Sequence, residues 1–290
     1  MPIRHCQCGQ ADGWRFATIA EVRPVRELPG VVARDLIGVF ADIDDTITTD
    51  GRLTADAYVA MARVQDAGLL MIPITGRPAG WCDHIARMWP VDGVVGENGA
   101  FYFRYDRQRK KFISRLSVSA EHIQQNRTRL DQIARRILVD VPGCAMASDQ
   151  AYRMADIAID FCEDVAPLSI DAVDEIVRIM TSEGLTAKVS SIHVNGWFGS
   201  HDKLSMTRQM MVETFSINID QAKEKFVFVG DSPNDQPMFK FFPHAVGVAN
   251  LRKFIGRLDV LPTYVTDAAG GTGFAEVVDT LISARSDFTV

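Results

Sequence analysis

The sequence predicts an α/β fold, a doubly wound (Rossmann-like) parallel sheet core with an inserted α+β domain. Short apolar runs recur in the first and last thirds of the chain, and segments with helical periodicity separate them. Polar residues follow these runs, as they do at the carboxyl ends of strands in open α/β sheets. The middle third instead shows neighbouring strand patterns and two helices, which predicts a separate module.

The first part of the core is predicted at residues 36–103, after an N-terminal extension at residues 1–35 that shows little periodicity. Apolar residues at helical spacing predict one helix from the N-cap Thr54 to the stop at Gly68, and another that Pro78 opens. The predicted strands are residues 36–41, 69–74 and 94–95. One face of the second helix is expected to carry Trp81, Ile85 and Met88.

The middle of the chain departs from this alternation, and we expect the inserted α+β domain at residues 104–197. Apolar and polar residues alternate from Asp156 to Asp160, which predicts a half-exposed strand. The remaining predicted elements are helices at 121–138 and 169–180 and strands at 101–103, 111–113, 185–190 and 192–198.

The last part, residues 198–290, returns to the pattern of the core. The glycines at 270, 271 and 273 precede a helix, and we interpret them as a turn because no lysine at Walker spacing accompanies them. The predicted elements are a helix at 204–215, strands at 226–229, 245–248 and 263–265, and a final helix that ends near residue 281.

Composition excludes several classes of protein. The chain is 47% hydrophobic and 23% charged, without the apolar run of a membrane span or the apolar core of a signal peptide. Its net charge of -6 leaves no basic face, so we expect no nucleic-acid partner. Five scattered cysteines predict reduced thiols in a cytoplasmic protein. His5, Cys6 and Cys8 lack the second ligand pair of a zinc site.

The candidate reaction centre follows the first predicted strand, where Asp42, Asp44 and Asp45 crowd together. Carboxylates this close repel one another unless a cation binds among them, and divalent cations favour oxygen ligands. Asp42 ends the strand and can aim its carboxylate at a substrate, while Asp44 lies past the bend. One carboxylate as nucleophile and the other as general acid and base would serve phosphoryl transfer.

The same stretch also fits a solvated turn, because Asp and Thr favour turns. An EF-hand loop does not fit, because Thr46 and Ile47 take the places of Asp or Asn and of Gly, and a strand precedes. Polar residues farther along the chain favour a reaction centre, since they add the hydroxyl, cation and carboxylates that phosphoryl transfer needs. They are Thr75, Lys203, Asp231, Asn234 and Asp235.

These stretches, in this order, resemble the four motifs of the haloacid dehalogenase superfamily of aspartate-nucleophile phosphatases. The inserted domain lies between motifs two and three and resembles the type IIB cap of Cof-like sugar phosphatases, sucrose-phosphate phosphatases and phosphomannomutases. The resemblance covers about residues 36–290, and Asp45 departs from the glycine that the family often has. The motifs are Asp42-Ile43-Asp44-Asp45-Thr46, then Thr75, then Lys203, then Gly230-Asp231-Ser232-Pro233-Asn234-Asp235.

The resemblance implies a phosphatase, a Mg2+-dependent phosphomonoester hydrolase. Asp42 would form an aspartyl-phosphate, and Asp44 would protonate the leaving oxygen and then activate water. Mg2+ would be held by the Asp42 carboxylate, the Asp44 carbonyl and Asp231. Asp235 would either bind the ion directly or hydrogen-bond to one of its ligands. The residues implied in phosphate binding are Thr75, Gly76, Lys203 and Asn234.

The cap is expected to select the substrate, because the core motifs fit any phosphomonoester. Polar residues on or beside the cap strands, together with the end of the third strand, are the candidates for substrate binding. Carboxylate, amide and imidazole groups suit the hydroxyls of a small sugar or polyol phosphate, and no aromatic sandwich for a nucleobase is present. The candidates are Asn98, Gly99, Arg153, Asp156, His193 and Asn195.

Two other functions share parts of this pattern. A phosphomutase would keep the core motifs, but the mutase group has Gly-Trp-Asp-Lys at motif three, and here four residues separate Trp197 from Asp202. A receiver-like phospho-acceptor domain needs a much shorter chain and no acid/base two residues after the phosphorylated aspartate. The sequence leaves the oligomeric state open.

Overall fold

The computed structural model describes residues 22–286 of the chain. Fifteen strands lie in this range, namely β1 (Arg23–Pro24), β2 (Gly38–Ala41), β3 (Thr48–Thr49), β4 (Arg52–Leu53), β5 (Leu70–Pro73), β6 (Val94–Gly96), β7 (Phe101–Asp106), β8 (Lys111–Leu116), β9 (Ala145–Met146), β10 (Asp156–Asp160), β11 (Thr186–Val189), β12 (His193–Trp197), β13 (Phe226–Gly230), β14 (His244–Gly247) and β15 (Tyr264–Val265). The α-helices of the same range are α1 (Gly30–Asp35), α2 (Ala55–Asp66), α3 (Ala79–Met88), α4 (Ala120–Asp140), α5 (Ile170–Ser182), α6 (Lys203–Phe215), α7 (Ile219–Ala222), α8 (Gln236–Phe241) and α9 (Gly270–Ser286).

A parallel sheet forms the centre of the core. Across residues 22–286 it has six strands in the order β1-β15-β14-β13-β2-β5. Val39 of β2 lies opposite Val227 of β13 on one side and Met71 of β5 on the other. The predicted doubly wound parallel sheet is therefore confirmed, and β2 has a neighbour on both edges.

Helices cover both faces of this sheet because the side chains of its strands alternate between two apolar layers. Val39 and Ala41 pack into the layer formed with α1, α2, α3 and α9. Phe40 points to the opposite layer, where it packs with residues of α6, α7 and α8. A strand that is buried on both faces has apolar residues at consecutive positions, and residues 36–41 show this pattern.

The β7–β8 hairpin belongs to the core. β6 pairs with β7, β7 pairs with β8, and a parallel bridge between Ile74 and Val95 connects this sheet to β5. Phe101 and Phe103 lie in one apolar layer of the core, and Tyr102 lies in the other. The predicted start of the insertion at residue 104 falls inside β7, and we propose a start near residue 117 instead.

A second unit lies between β8 and α6. Helices α4 and α5 cover one face of an antiparallel sheet with the strand order β11-β12-β10-β9, and we call this unit the cap module. Ile157, Ile159 and Val194 point into the apolar layer beneath the helices. The opposite face of β10 and β12 is polar, and it carries Asp156, Asp160, His193 and Asn195.

The expectation of a half-exposed strand at residues 156–160 is wrong, because every residue of β10 is buried. Asp156 and Asp160 each have at most 1% of their surface exposed. The alternation is real, but the polar face lies against the core rather than in water. Buried charges need partners, and those partners are described with the site.

The chain before β2 contributes to the core within the described residues. β1 pairs in parallel with β15, and Val25, Leu28 and Ala33 are buried in the apolar layer that contains α9. We therefore propose that the core begins near residue 23 rather than residue 36. The predicted absence of a zinc site at His5, Cys6 and Cys8 falls outside the described residues.

Among residues 22–286, no helix has both the length and the apolar character that crossing a membrane requires.

We predict that Gly99→Ala destabilises the protein far more than Gly68→Ala does. Both glycines have a left-handed φ, +104° and +74°, which costs other residues about 1–2 kcal/mol. A Cβ at Gly68 meets nothing within 4 Å, whereas one at Gly99 would lie 2.0 Å from the carbonyl oxygen of Asp202. Urea unfolding should show a loss above about 4 kcal/mol for Gly99→Ala only. Equal losses for the two variants would contradict this packing.

Candidate active site

Three neighbouring strands end at one place, and each is followed by a predicted site residue. Asp42 follows β2, Asp231 follows β13, and Thr75 follows β5 by two residues. The backbone N–H of Asp42 still donates to Val229 at 2.9 Å, so the sheet holds this residue in place. Parallel strands present their carboxyl ends at one edge, which explains how residues far apart in sequence converge.

Lys203 is the cation of the site. It is the first residue of α6, which begins with a reciprocal cap between Asp202 and Ser205. Its Nζ lies 2.6 Å from Asp42 Oδ1 and 2.7 Å from Asp235 Oδ1, and the residue is 2% exposed. Removing one partner of a buried ion pair costs about 3–5 kcal/mol, so this bridge strongly constrains the position of Asp42.

Asp235 is held on both oxygens. Its Oδ2 accepts the backbone N–H groups of Asp231 at 3.0 Å and Ser232 at 3.2 Å, and its Oδ1 accepts from Lys203. Asp231 has more freedom, because its oxygens are contacted by Thr46 at 3.5 Å and Asn250 at 3.1 Å. Asp235 therefore shapes the loop after β13, while Asp231 can turn an oxygen towards a ligand.

The carboxylates leave room for a divalent cation. Ligand atoms of Asp42, Asp231 and Asp235 all lie within 4.8 Å of one another, so within the described part of the chain these three carboxylates are close enough to ligate one metal ion. Burial raises the pKa of Asp42 to about 8, although Lys203 opposes the shift. Burial, followed by Asp42 and Asp235, also raises the pKa of Asp231 well above its ordinary value. The single positive charge of Lys203 does not balance three carboxylates. Their oxygen atoms are the kind of ligand that Mg2+ prefers, so the residues present fit this ion.

Asp44 lies beside these groups and is held by an arginine. Arg77 Nε donates to Asp44 Oδ1 at 2.8 Å, and Arg77 is 2% exposed. Asp45, the next residue, has a left-handed φ of +55°. Gly, Asn and Asp tolerate this conformation best, so Asp45 meets the same backbone requirement as the glycine often found there in the family.

Three of the predicted phosphate-binding residues, Gly76, Lys203 and Asn234, lie beside Asp42. Thr75 Oγ1 accepts the backbone N–H of Arg77 at 3.0 Å, which leaves its own hydrogen to donate. Gly76 and Asn234 line a cavity of about 10 Å³ directly over Asp42 and Asp44. A Cβ at Gly76 would lie 3.1 Å from Asn98 Nδ2, so this position has little room for a side chain.

Two of the cap candidates close this cavity from above. His193 and Asn195 line it from β12, and Asn195 Nδ2 donates to Asp156 Oδ2 at 2.9 Å. These two residues of β12 therefore face the cavity that the core motifs line. Their contact with a substrate stays a prediction.

The other candidates have structural partners. Arg153 pairs with Asp149 at 3.0 Å and Asp156 at 3.2 Å, and it donates to the Gly76 carbonyl at 2.9 Å. Gly99 packs on the backbone of Asp202. Asn98, at a φ of +52°, accepts from Asn234 Nδ2 at 3.4 Å. Arg153 and Gly99 thus stabilise the arrangement around the cavity rather than line it.

A larger cavity, of about 480 Å³, opens beside the first and shares Asp44, Arg77 and Ile192 with it. Core and cap module both contribute to its wall. The wall is rich in carboxylates and contains no aromatic ring, and its polar residues include Asp45, Asp50, Glu163, Ser191 and Lys253. A group attached to a phosphate over Asp42 would extend into this space.

Sequence reasoning missed the charged residues that join the two units. Arg77 pairs with Glu163 of the cap module at 2.6 Å, and Glu97 accepts the N–H groups of Ala79, Met154 and Ala155. Arg77 directly follows the predicted Thr75-Gly76 pair at a strand end, and that position was the available signal. Glu163 follows a strand in the cap module and offers no comparable local pattern.

Comparison with known proteins shows what the chain is similar to. A model of the haloacid dehalogenase-like hydrolases matches residues 39–140. A phosphoglycolate phosphatase from Methanothrix thermoacetophila is 24% identical over 249 residues, which cover 85% of this chain and 97% of that protein.

Solved structures show the same fold. A putative HAD/COF-like hydrolase from Plasmodium vivax has a TM-score of 0.63 at 14% identity, covering 89% of this chain and 99% of that one. The sucrose-phosphatase of Synechocystis has a TM-score of 0.56 at 14% identity, with coverage of 86% and 98%. These findings confirm the predicted fold class and the assignment as a phosphatase, and they support the predicted resemblance to the haloacid dehalogenase-like hydrolases, whose model matches residues 39–140.

Proposed function

We propose that the protein is a Mg2+-dependent phosphomonoester hydrolase that works through an aspartyl-phosphate at Asp42. The observation that carries this proposal is the cluster of Asp42, Asp231 and Asp235 around Lys203, with Asp44 beside it. The cluster provides a fixed nucleophile, a cation and a place for a metal at one edge of a sheet. Phosphoryl transfer depends mainly on positioning and on compensation of charge, and these groups supply both.

The reaction would take two steps. First, an oxygen of Asp42 attacks phosphorus, the bond between phosphorus and the leaving oxygen breaks, and Asp44 gives its proton to that oxygen, which releases an alcohol. Second, Asp44, now ionised, takes a proton from water. The resulting hydroxide attacks phosphorus, which releases phosphate and restores the Asp42 carboxylate.

The residues that would hold Mg2+ are Asp42 and Asp231, with the carbonyl of Asp44. Asp235 would orient the neighbouring groups, because backbone N–H groups and Lys203 already occupy its oxygens. When bound, the ion would neutralise charge on the phosphoryl oxygens and keep Asp42 ionised although burial raises its pKa. Thr75, Gly76, Lys203 and Asn234 would hold the phosphate.

The proposed substrate is a small sugar or polyol phosphate. His193 and Asn195 reach the cavity over Asp42, and carboxylates with the hydroxyl of Ser191 line the larger cavity beside it. Hydroxyl groups both donate and accept hydrogen bonds, so they suit such a wall. A second anion on the substrate would meet Asp45, Asp50 and Glu163, with Lys253 as a counter-charge.

A phosphorylated carboxylate is the competing substrate class, because the Methanothrix thermoacetophila relative is named as a phosphoglycolate phosphatase. Phosphoglycolate and a polyol phosphate differ in the charge of the leaving group, so the carboxylate-rich cavity should separate them. A phosphomutase would share the core groups but would return an isomer of the substrate instead of inorganic phosphate.

We predict that removal of Mg2+ with EDTA abolishes phosphatase activity and lowers the melting temperature, and that added Mg2+ restores both. Calcium should restore activity poorly, because its looser coordination displaces the nucleophile. Asp231→Asn should weaken Mg2+ binding measured by calorimetry, whereas Asp66→Asn, at the exposed end of α2, should not. Full activity in metal-free buffer would refute the metal assignment.

We predict a higher kcat/KM for glycerol 3-phosphate or a hexose phosphate than for phosphoglycolate or a nucleoside monophosphate, measured as phosphate release. His193→Ala and Asn195→Ala should reduce the preference for the sugar ester over the nucleotide, because both side chains line the cavity over Asp42. Substitution of the exposed His84, in His84→Ala, should leave this preference unchanged. A preference for phosphoglycolate would exclude the sugar class while leaving the proposed chemistry intact.

A further inference from the structure

All three nitrogens of the Arg77 guanidinium donate hydrogen bonds to protein carboxylates. Its Nε donates to Asp44 Oδ1 at 2.8 Å, and its Nη2 donates to Glu163 Oε1 at 2.6 Å. Its Nη1 donates to Asp149 Oδ2 at 3.3 Å and to Glu163 Oε2 at 3.4 Å. The guanidinium carbon lies 4.3 Å from the ring centre of Trp81. With each nitrogen bound to a carboxylate and one face stacked, Arg77 is placed to orient protein carboxylates.

Its partners come from both units of the protein. Asp44 lies in the core, whereas Glu163 and Asp149 belong to the cap module. The cap carboxylates are themselves held, since Glu163 Oε2 lies 2.8 Å from His193 Nε2 and Asp149 pairs with Arg153 at 3.0 Å. Burial alone would raise the pKa of Glu163, but hydrogen bonds from His193 and Arg77 lower it to about 2. Asp44 of the core and two carboxylates of the cap module thus share the guanidinium of Arg77.

We propose that Arg77 is the positioning residue for Asp44, and that Glu163 of the cap module holds Arg77 in the orientation that Asp44 needs. Docking of the cap module on the core would then also orient Asp44. Without Glu163, the guanidinium loses its shortest cap contact and can rotate about its bonds, and Asp44 Oδ1 would move with it. This inference rests on the proposed role of Asp44 as the proton donor.

The test uses the leaving group as a probe of proton donation. p-Nitrophenolate leaves without a proton, whereas the alkoxide of glycerol 3-phosphate needs one. The constant kcat/KM reports the steps up to departure of the leaving group, so it isolates the role of Asp44 as an acid. Asp44→Asn serves as the reference, and all variants are assayed as the full chain with Mg2+.

Glu163→Gln keeps the shape of the side chain and removes its charge. It should lower kcat/KM for glycerol 3-phosphate by about tenfold or more, and for p-nitrophenyl phosphate by about twofold at most, because general acid catalysis contributes roughly 10²–10⁴-fold. Arg77→Lys should show the same selective loss, since a compact ammonium cannot reproduce the planar, forked contacts that the guanidinium makes with Asp44, Asp149 and Glu163. Its retained activity on p-nitrophenyl phosphate confirms folding.

Asp174→Asn is the matched control. It removes an ion pair of 2.7 Å between α5 of the cap module and Arg257 of the core, and it leaves Arg77 untouched. The ratio of kcat/KM for glycerol 3-phosphate to kcat/KM for p-nitrophenyl phosphate should stay at the wild-type value. A selective loss in this variant would show that any weakening of the cap has the same effect, which would overturn the specific role of Arg77.

The outcomes separate the two proposals. An equal fall for both esters in Glu163→Gln and Arg77→Lys, with a selective loss in Asp44→Asn, would refute the positioning role and leave the proposed function standing. If Asp44→Asn itself affects both esters equally, or if the wild type hydrolyses neither ester, the proposed function fails.

Discussion

The structure depends on the compensation of buried charge at the edge where β2, β5 and β13 end. Asp42, Asp231 and Asp235 are each at most 4% exposed, and Lys203 is the buried cation that contacts two of them. Moving a carboxylate out of water costs several kcal/mol unless a partner or a metal repays it. The cluster is therefore stable as a site for a cation, and the capped start of α6 and the hydrogen-bonded loop after β13 keep its members in place.

The same constraint extends into the cap module. Its sheet turns an apolar face to α4 and α5, and it turns a face of Asp156, Asp160, His193 and Asn195 towards the core. These groups are buried, so each needs a partner. Arg153 and Asn195 bind Asp156, three backbone N–H groups donate to Asp160, and Glu163 lies between His193 and Arg77. Backbone N–H groups of residues 154 and 155 bind Glu97 of the core. The wall of the cavity over Asp42 and the attachment of the cap module are consequently built from one network.

Much of the core was predictable because its signals are local. Apolar runs gave β2, β5 and β13, and the polar residues that follow them gave Asp42, Thr75 and Asp231, whose convergence follows from parallel pairing. Other features depend on tertiary contacts. Trp81, Ile85 and Met88 were expected on one face of α3. Ile85 is buried, but Trp81 and Met88 are 39% and 63% exposed, because the helix packs through Cys82, Ile85 and Ala86. The β7–β8 hairpin and the Arg77–Glu163 pair have no local pattern that reveals which unit they contact.

The most direct test of the account is to trap the phosphorylated residue. The Asp44→Asn variant is mixed with p-nitrophenyl phosphate and Mg2+, quenched in acid, and digested for mass spectrometry. p-Nitrophenolate leaves without a proton, whereas hydrolysis of the aspartyl-phosphate needs a base, so the intermediate should accumulate. We expect phosphate on Asp42, and no phosphorylated peptide in the Asp42→Asn, Asp44→Asn double variant. Phosphate on another residue, or steady turnover by Asp42→Asn without any labelled peptide, would contradict the aspartyl-phosphate mechanism.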